Sequence, residues 1–298
     1  MAPPARFLRP RRPADAPRGR PAAPPPARPA RERLFRVAGL AAVSALFEHE
    51  PGRVERLFYE PGLKAAVAPF TERLAAARRP FRMVDADELA RVAGTVLHGG
   101  VVALMPPRPL PRFDPVLAAG WAREGRPLLV LDGVGNPHNL GAIARTAAFF
   151  GLPRLLLSGH PGQALPSEAA YRVAEGGFEW LDIAVAPDLP AALRGLAPAG
   201  FRTVATTLEP GRPTIDPGRL TGGGKPVALV LGNEEEGVPA ATAAACAELL
   251  TIPGSGRIQS LNVAATAAIL INAITRAHDG CAGGVAHPQR PRNKSGTA

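Results

Sequence analysis

Three short stretches of the chain carry side chains that could bind and orient a ligand with hydroxyl or phosphate groups. The first, IPGSGRIQSLNVAATAAIL at 252–270, opens with Pro253, Gly254 and Gly256 and passes through Ser260 and Asn262 into an Ala- and Ile-rich segment. Apolar residues at Leu261, Ala264, Ala265, Ala268 and Ile269 recur at helical spacing, so a loop turns here into a helix. The unpaired N–H groups of a helix start suit a ligand. An ordinary helix capped by Ser260 fits the same stretch equally well.

The second stretch is LDGVGNPHNLGAIARTAAFFG at 131–151. A strand followed by Gly133 and Gly135 suggests a dinucleotide loop, but the third glycine of that fingerprint would fall at His138 and the later acidic residue is missing. A Rossmann dehydrogenase is thereby disfavoured. What remains is a loop ending in Asn139, able to cap a helix, and Arg145 six residues on. The planar fork of an arginine can reach a phosphate or a ribose, although a capped helix with a surface arginine is also compatible. The third stretch, VALVLGNEEEGV at 227–238, is a buried strand stopped by Gly232, three glutamates and Gly237. A solvated acidic loop is the plain reading. At a strand's carboxyl end, Glu234 is the glutamate best placed to face a ligand.

These stretches need a frame. PLLVLDG, PRLLLSG, FRTVATT and PVALVLG are short apolar runs ending in Gly, Asp or Thr, with LTIPG as a last strand and helical segments between them. That pattern predicts an open α/β domain over 126–280 with buried parallel strands, whose ligands bind beyond the strands' carboxyl ends. Those ends hold Asp132, Thr206, Thr207, Gly232, Asn233 and Pro253. Residues 32–105 predict a smaller α/β domain with a mostly parallel sheet: LFRVAGLAAVSALF, RVERLFYEP, FRMVDADELARVAG and HGGVVALM each contain a strand. A lone His98 before Gly-Gly reads as a turn residue. Residues 106–125, with four prolines in their first six positions, read as a stiff linker with a short helix around Val116–Trp121.

The two ends differ from the body. Residues 1–31 carry eight Arg and one Asp, and 281–298 carry three basic residues and no acid. The whole formal charge of +10 therefore lies in these ends, and 32–280 is neutral. Both ends are expected to be disordered arms that draw the chain toward polyphosphate backbones. Two cysteines, Cys246 and Cys281, are too few for a disulfide framework or a zinc site, so no metal is expected. No apolar run spans a membrane and no secretory signal opens the chain, so a cytoplasmic protein is expected.

Taken in order, the Asn139-to-Arg145 loop, LGNEEEG and IPGSGRIQSLNV resemble the three motifs of the SpoU, or TrmH-like, RNA ribose 2'-O-methyltransferases of the SPOUT superfamily. RVAGLAAVSALF and LHGGVVAL look like the start and end of that family's L30e-like substrate-binding domain, so the resemblance covers roughly 32–277. It implies a carboxyl-terminal segment threaded as a deep trefoil knot, with S-adenosylmethionine held there. Thr206, Leu231, Gly232, Ile252 and Leu261 match cofactor-contacting positions, and Asn139, Arg145, Glu234, Ser260 and Asn262 match catalytic or ribose-contacting ones. It further implies a homodimer that methylates ribose in structured RNA, ribosomal before transfer RNA. The alternative is a silent RNA-binding protein that keeps the fold. Two departures stand out: Asn136 where an acidic residue is common, and the unusual Glu175–Gly176–Gly177 after the third helix. The family assigns proton removal to the motif's arginine, here Arg145. That is chemically awkward because arginine stays protonated, so positioning of the hydroxyl and a neighbouring phosphate is the other role open to it.

Overall fold

The computed structural model describes residues 34–209, 212–220 and 224–279; the expected arms at 1–31 and 281–298 lie outside the described residues. Residues 35–105 build a four-stranded sheet. Strand β1 (Phe35–Ala38) leads into helix α1 (Leu40–His49), β2 (Arg56–Tyr59) into α2 (Lys64–Ala76), and β3 (Phe81–Met83) into α3 (Ala86–Ala93), before β4 (Val101–Met105). The sheet order is β1-β4-β2-β3. A mostly parallel sheet was the expectation, and the structure corrects it: β4 lies between β1 and β2 and runs antiparallel to both, and only β2 and β3 pair in parallel. Short α3 and the turn at His98–Gly100 return the chain to the end of the sheet at which β3 finished. Alternation of strand and helix implies parallel neighbours only when the helix carries the chain back to the opposite end. His98 is buried in this turn, its Nδ1 accepting from the N–H of Gly100 at 3.2 Å.

Residues 115–279 build the larger layer structure: α4 (Pro115–Arg123), β5 (Leu128–Asp132), α5 (Pro137–Phe149), β6 (Arg154–Ser158), α6 (Glu168–Ala174), β7 (Asp182–Ala186), α7 (Leu189–Ala199), β8 (Arg202–Thr206), β9 (Val227–Gly232), α8 (Ala240–Ala244), β10 (Glu248–Leu250) and α9 (Val263–Asp279). Its sheet has the order β10-β8-β9-β5-β6-β7, and all five pairings are parallel. The apolar runs of β5, β6 and β9 are buried along their whole length, as strands covered on both faces must be. Each fully buried Leu or Val there contributes about 2 kcal/mol over its exposed state.

Three details differ from the sequence expectation. Strand β7 was not foreseen, because Asp182 and two alanines dilute its apolar signal at the sheet edge. The proline-rich segment, expected as a stiff linker, also pairs with the larger sheet. Phe113 N–H donates to Val185 O at 2.8 Å and Val185 N–H to Pro111 O at 2.9 Å, so the segment lies on the edge of β7 before α4 begins. Proline, which has no N–H to give, is tolerated at such an edge. The last strand is Glu248–Leu250, upstream of the expected 250–254 and sharing only Leu250 with it, because its neighbour β8 ends opposite Leu250 at Thr206.

The two sheets share packing. Helix α1 meets the 3₁₀ turn Gly177–Trp180, and α6 meets β1. Between them sits an ionic cluster around buried Glu179, in which half-buried Arg53 faces Glu179 at 3.7 Å and half-buried Arg108 faces Glu50 at 3.4 Å. Burial, reinforced by nearby Glu50, pushes the Glu179 carboxyl above its ordinary range despite Arg108 and Arg53.

Candidate active site at the carboxyl ends of the strands

Strands β5 and β9 are neighbours and end together, with Asp132 opposite Gly232. Asp132 is buried and accepts from Thr242 Oγ1 at 2.7 Å, which anchors α8 against the strand ends. Beyond β9 the chain must turn at once. Asn233 makes that turn: its Oδ1 accepts from the N–H of Glu235 at 2.8 Å and of Glu236 at 3.1 Å, and its Nδ2 donates to Gly133 O at 2.8 Å. Gly237 closes the turn by pairing with Asn233 in both directions, at 2.9 and 3.0 Å. This closure needs glycine at 232. A Cβ there would lie 2.2 Å from the carbonyl carbon and oxygen of Gly237.

The turn sorts the three glutamates. Glu235 and Glu236 point into solvent, and Glu234 is half-buried and faces α5. There its Oε1 accepts from Asn139 Nδ2 at 2.5 Å. Asn139 is free for this contact because it does not cap α5. Asn136 does so instead, accepting from His138 N–H at 2.8 Å. The other end of the Asn139 amide, Oδ1, accepts from Asn262 Nδ2 at 3.2 Å. Asn262 in turn caps α9: its Oδ1 accepts from Ala264 N–H at 2.8 Å, and its carbonyl receives Thr266 N–H at 2.9 Å. The sequence had offered Asn139 and Ser260 as the two caps. Each cap falls instead to a nearby asparagine, whose short carboxamide reaches the N–H two residues on.

Glu234, Asn139 and Asn262 thus form one hydrogen-bonded chain drawn from three distant stretches. Ser260 stands exposed two residues before Asn262, in a loop whose residues 253–262 are all exposed. Among the described residues, the only hydrogen bond to a backbone N–H of 253–262 is that of Arg257 with Ser255 Oγ, at 3.5 Å. The loop therefore presents a row of available backbone donors and acceptors beside the strand ends. Leu261 is 51% exposed, Ile252 is half-buried against the main core, and Thr206, at the end of β8, donates to Val230 O at 3.2 Å. Leu231 is wholly buried, so only its backbone can meet a ligand.

Arg145 stands apart from this chain. Six residues after Asn139, it leaves α5 roughly a third of a turn away from it and about 9 Å further along the axis. Its Nη1 pairs with Glu175 Oε1 at 2.9 Å. Sequence reasoning had noted Glu175 only as an unusual loop residue and had not used Trp180, which lies near the same pair. Asn233 was legible in principle, since an asparagine at a strand end before a polar run is a common turn-former. Among the described residues, no group of three or more His, Cys, Asp or Glu could hold a metal ion.

The chain is similar to known proteins in sequence and in fold. The profile described as RNA 2'-O ribose methyltransferase substrate binding matches residues 36–111, and that of the SpoU rRNA Methylase family matches residues 126–272. A 23S rRNA (guanosine-2'-O-)-methyltransferase RlmB from Burkholderia sp is 32% identical over 80% of this chain and 95% of its own length. An uncharacterized tRNA/rRNA methyltransferase YfiF from Escherichia coli O157:H7 is 30% identical over 79% of this chain and 66% of its own length. The crystal structure of an AdoMet-bound rRNA methyltransferase from Sinorhizobium meliloti superposes with a TM-score of 0.67 at 27% identity, covering 83% of this chain and 88% of that one. With the three motif stretches gathered at the strand ends and both profiles matched in order, the chain belongs to the SpoU rRNA Methylase family.

Proposed function

We propose that this chain is an S-adenosylmethionine-dependent RNA methyltransferase that acts on the 2'-hydroxyl of ribose, with ribosomal RNA as its substrate. The observation that carries the reading is the Glu234–Asn139–Asn262 chain, which joins all three motif stretches at one place. The exposed loop 253–262 suits the methyl donor: unpaired backbone groups for its polar edges, and the open Leu261 side chain for its adenine face. When bound there, the donor supplies an electrophilic methyl group on a sulfonium.

The chain's own residues then have positional work to do. Asn139, held at both ends of its amide, offers a fixed dipole to the ribose; Glu234 and Asn262 keep it from rotating. Ser260 and Asn262 line the approach on the loop side. Thr206, Gly232, Ile252 and the backbone of Leu231 form the wall behind. Arg145 offers five donors and no acceptor. Paired with Glu175, it is suited to hold a phosphate or the ribose, not to take up the hydroxyl's proton. Fixing two reactants in a near-attack geometry is worth several kcal/mol of barrier.

The rest of the reading comes from family membership: a trefoil knot in the carboxyl-terminal segment, a homodimer, and a cytoplasmic location. Among the described residues no helix is long and apolar enough to cross a membrane. The basic ends, with eight and two arginines, serve as electrostatic arms for RNA.

The test is transfer of tritiated methyl from S-adenosylmethionine to unmodified 23S rRNA transcript, followed by nuclease digestion. The expected product is a 2'-O-methylnucleoside. Label on a base alone, or no label, overturns the reading. Sedimentation of the full chain tests the homodimer.

A further inference from the structure

A hollow of about 230 Å³ lies beside Arg145, with Phe149, Glu175 and Trp180 as walls and Gly176 and Gly177 as floor. We propose that it seats one nucleotide of the RNA adjoining the target, the base stacked on Trp180 and the phosphate on Arg145. The proposal rests on the reading of the chain as an RNA methyltransferase and adds to it a subsite for a neighbouring nucleotide.

The aromatic wall is presented outward. In the 3₁₀ turn Gly177–Trp180, Phe178 and Glu179 are buried, yet Trp180 is 53% exposed. The chain's other tryptophan, Trp121, is buried. The Trp180 ring packs against that of His49, at the end of α1, in a T-shaped contact with ring centres 4.1 Å apart and planes at 69°. A ring braced in this way loses little freedom when a base stacks on it. Phe149, 67% exposed, stands on the α5 side of the hollow. Exposed aromatic faces beside a guanidinium are the elements by which proteins hold unpaired bases and their phosphates.

The floor ties the hollow to both sheets. A Cβ at Gly176 would lie 2.8 Å from the Ala45 Cβ on α1, and one at Gly177 would lie 2.9 Å from the Arg145 backbone. Any larger residue there would push α1 or α5 away. Just before them, Glu175 adopts a left-handed conformation with φ 47°, uncommon for a residue with a side chain. That conformation accompanies the 2.9 Å pairing of its carboxylate with Arg145. An arriving phosphate displaces the carboxylate: both are anions, and the guanidinium fork fits either. The active-site chain and the hollow share one rigid support, since Asn139 and Arg145 are both on α5.

The full chain is titrated with two 12-nucleotide probes of equal charge, oligoadenylate and an abasic oligoribonucleotide, while tryptophan fluorescence and affinity are followed. Oligoadenylate is expected to quench the exposed tryptophan, and the abasic probe is not. Trp180→Ala weakens oligoadenylate binding roughly 5- to 150-fold, the range for loss of one stacked base. Glu175→Gln, which keeps the walls and removes the competing charge, tightens it severalfold. Equal quenching by both probes, an unchanged affinity in Trp180→Ala, or unchanged or weakened binding in Glu175→Gln overturns the proposal. So does a Trp180→Ala variant that merely changes its sedimentation, which would make the hollow a contact between copies. Should Trp180→Ala not fold, wild-type quenching and the Glu175 variant still decide. Methyl transfer to the 23S transcript by the wild type is scored separately, so failure of the enzymatic reading and failure of the stacking site are distinguishable.

Discussion

Asn139 donates its amide N–H to Glu234 at 2.5 Å, a contact between the first turn of α5 and the loop after β9 that spans 95 residues of sequence. The same amide accepts from Asn262, so rotation about its terminal bond breaks both contacts. Asn139→Ala removes a fixed dipole and leaves the Asn136 cap of α5 untouched. Methyl transfer is expected to fall roughly a hundredfold, the cost of losing alignment at a reacting centre. The thermal midpoint should move little. A drop in activity matched by global unfolding would make the role structural.

Asn262 does two jobs through the two ends of one side chain, and a pair of substitutions separates them. Asn262→Asp keeps the oxygen that accepts from Ala264 N–H and so keeps the cap of α9. It removes the N–H that Asn139 receives. Stability is expected to hold while turnover falls. Asn262→Ala loses both, with a further destabilisation of about 1 kcal/mol for the missing cap. Urea unfolding and single-turnover methylation, run side by side, check this. Equal activity in Asn262→Asp and wild type excludes the donor role.

Gly232→Ala tests the closure of the NEEEG turn. The added methyl would sit 2.2 Å from Gly237, which is backbone and cannot swing away. Residues 233–237 must move, at a cost of about 1–3 kcal/mol or more. Because Asn233 and Glu234 move with them, S-adenosylmethionine binding measured by calorimetry should weaken along with stability. A variant that binds the donor normally would show that the turn is not part of its site.

One ion pair predicts a pH dependence. Arg202 grips Glu248 with two N–H groups, at 2.5 and 2.6 Å, joining β8 to β10. The hydrogen bond from Arg202 holds the Glu248 carboxyl below its ordinary range, more than offsetting partial burial. A carboxyl lowered in the folded state adds stability that is complete above the unfolded value of about 4.3 and is lost as the pH falls through the folded value. Glu248→Gln should therefore be less stable than wild type at pH 7, and the gap should close in acid below about pH 4.3. Thermal melts across pH 3–7 measure the gap; one that stays constant down to pH 3 refutes the assignment.

Much of this molecule was legible in the chain alone. Five apolar runs marked strands of the larger sheet, most plainly β5, β6 and β9, because strands buried on both faces are built from near-continuous apolar residues. The three chemical stretches stood out because Asn, Glu and Gly at strand ends and helix starts have few other uses, and their order pointed to a family. Local sequence could not decide which polar side chain takes which duty. Asn136 and Asn262 cap their helices where Asn139 and Ser260 were equally eligible, since capping depends on where the backbone turns to within one residue. Nor could it show that β4 inserts antiparallel between β1 and β2, because strand direction depends on where a connection lands. Edge strand β7 stayed hidden because its pairing, with β6 and the proline segment, supplies what its composition lacks. The partner of Arg145 was also out of reach. Glu175 is 30 residues away in sequence and meets Arg145 only because Gly176 and Gly177 let the turn lie flat between α1 and α5. Side-chain types and their spacing were enough to name the chemistry. Which residues touch was set by close packing between distant segments, and such distances exist only once the chain has folded.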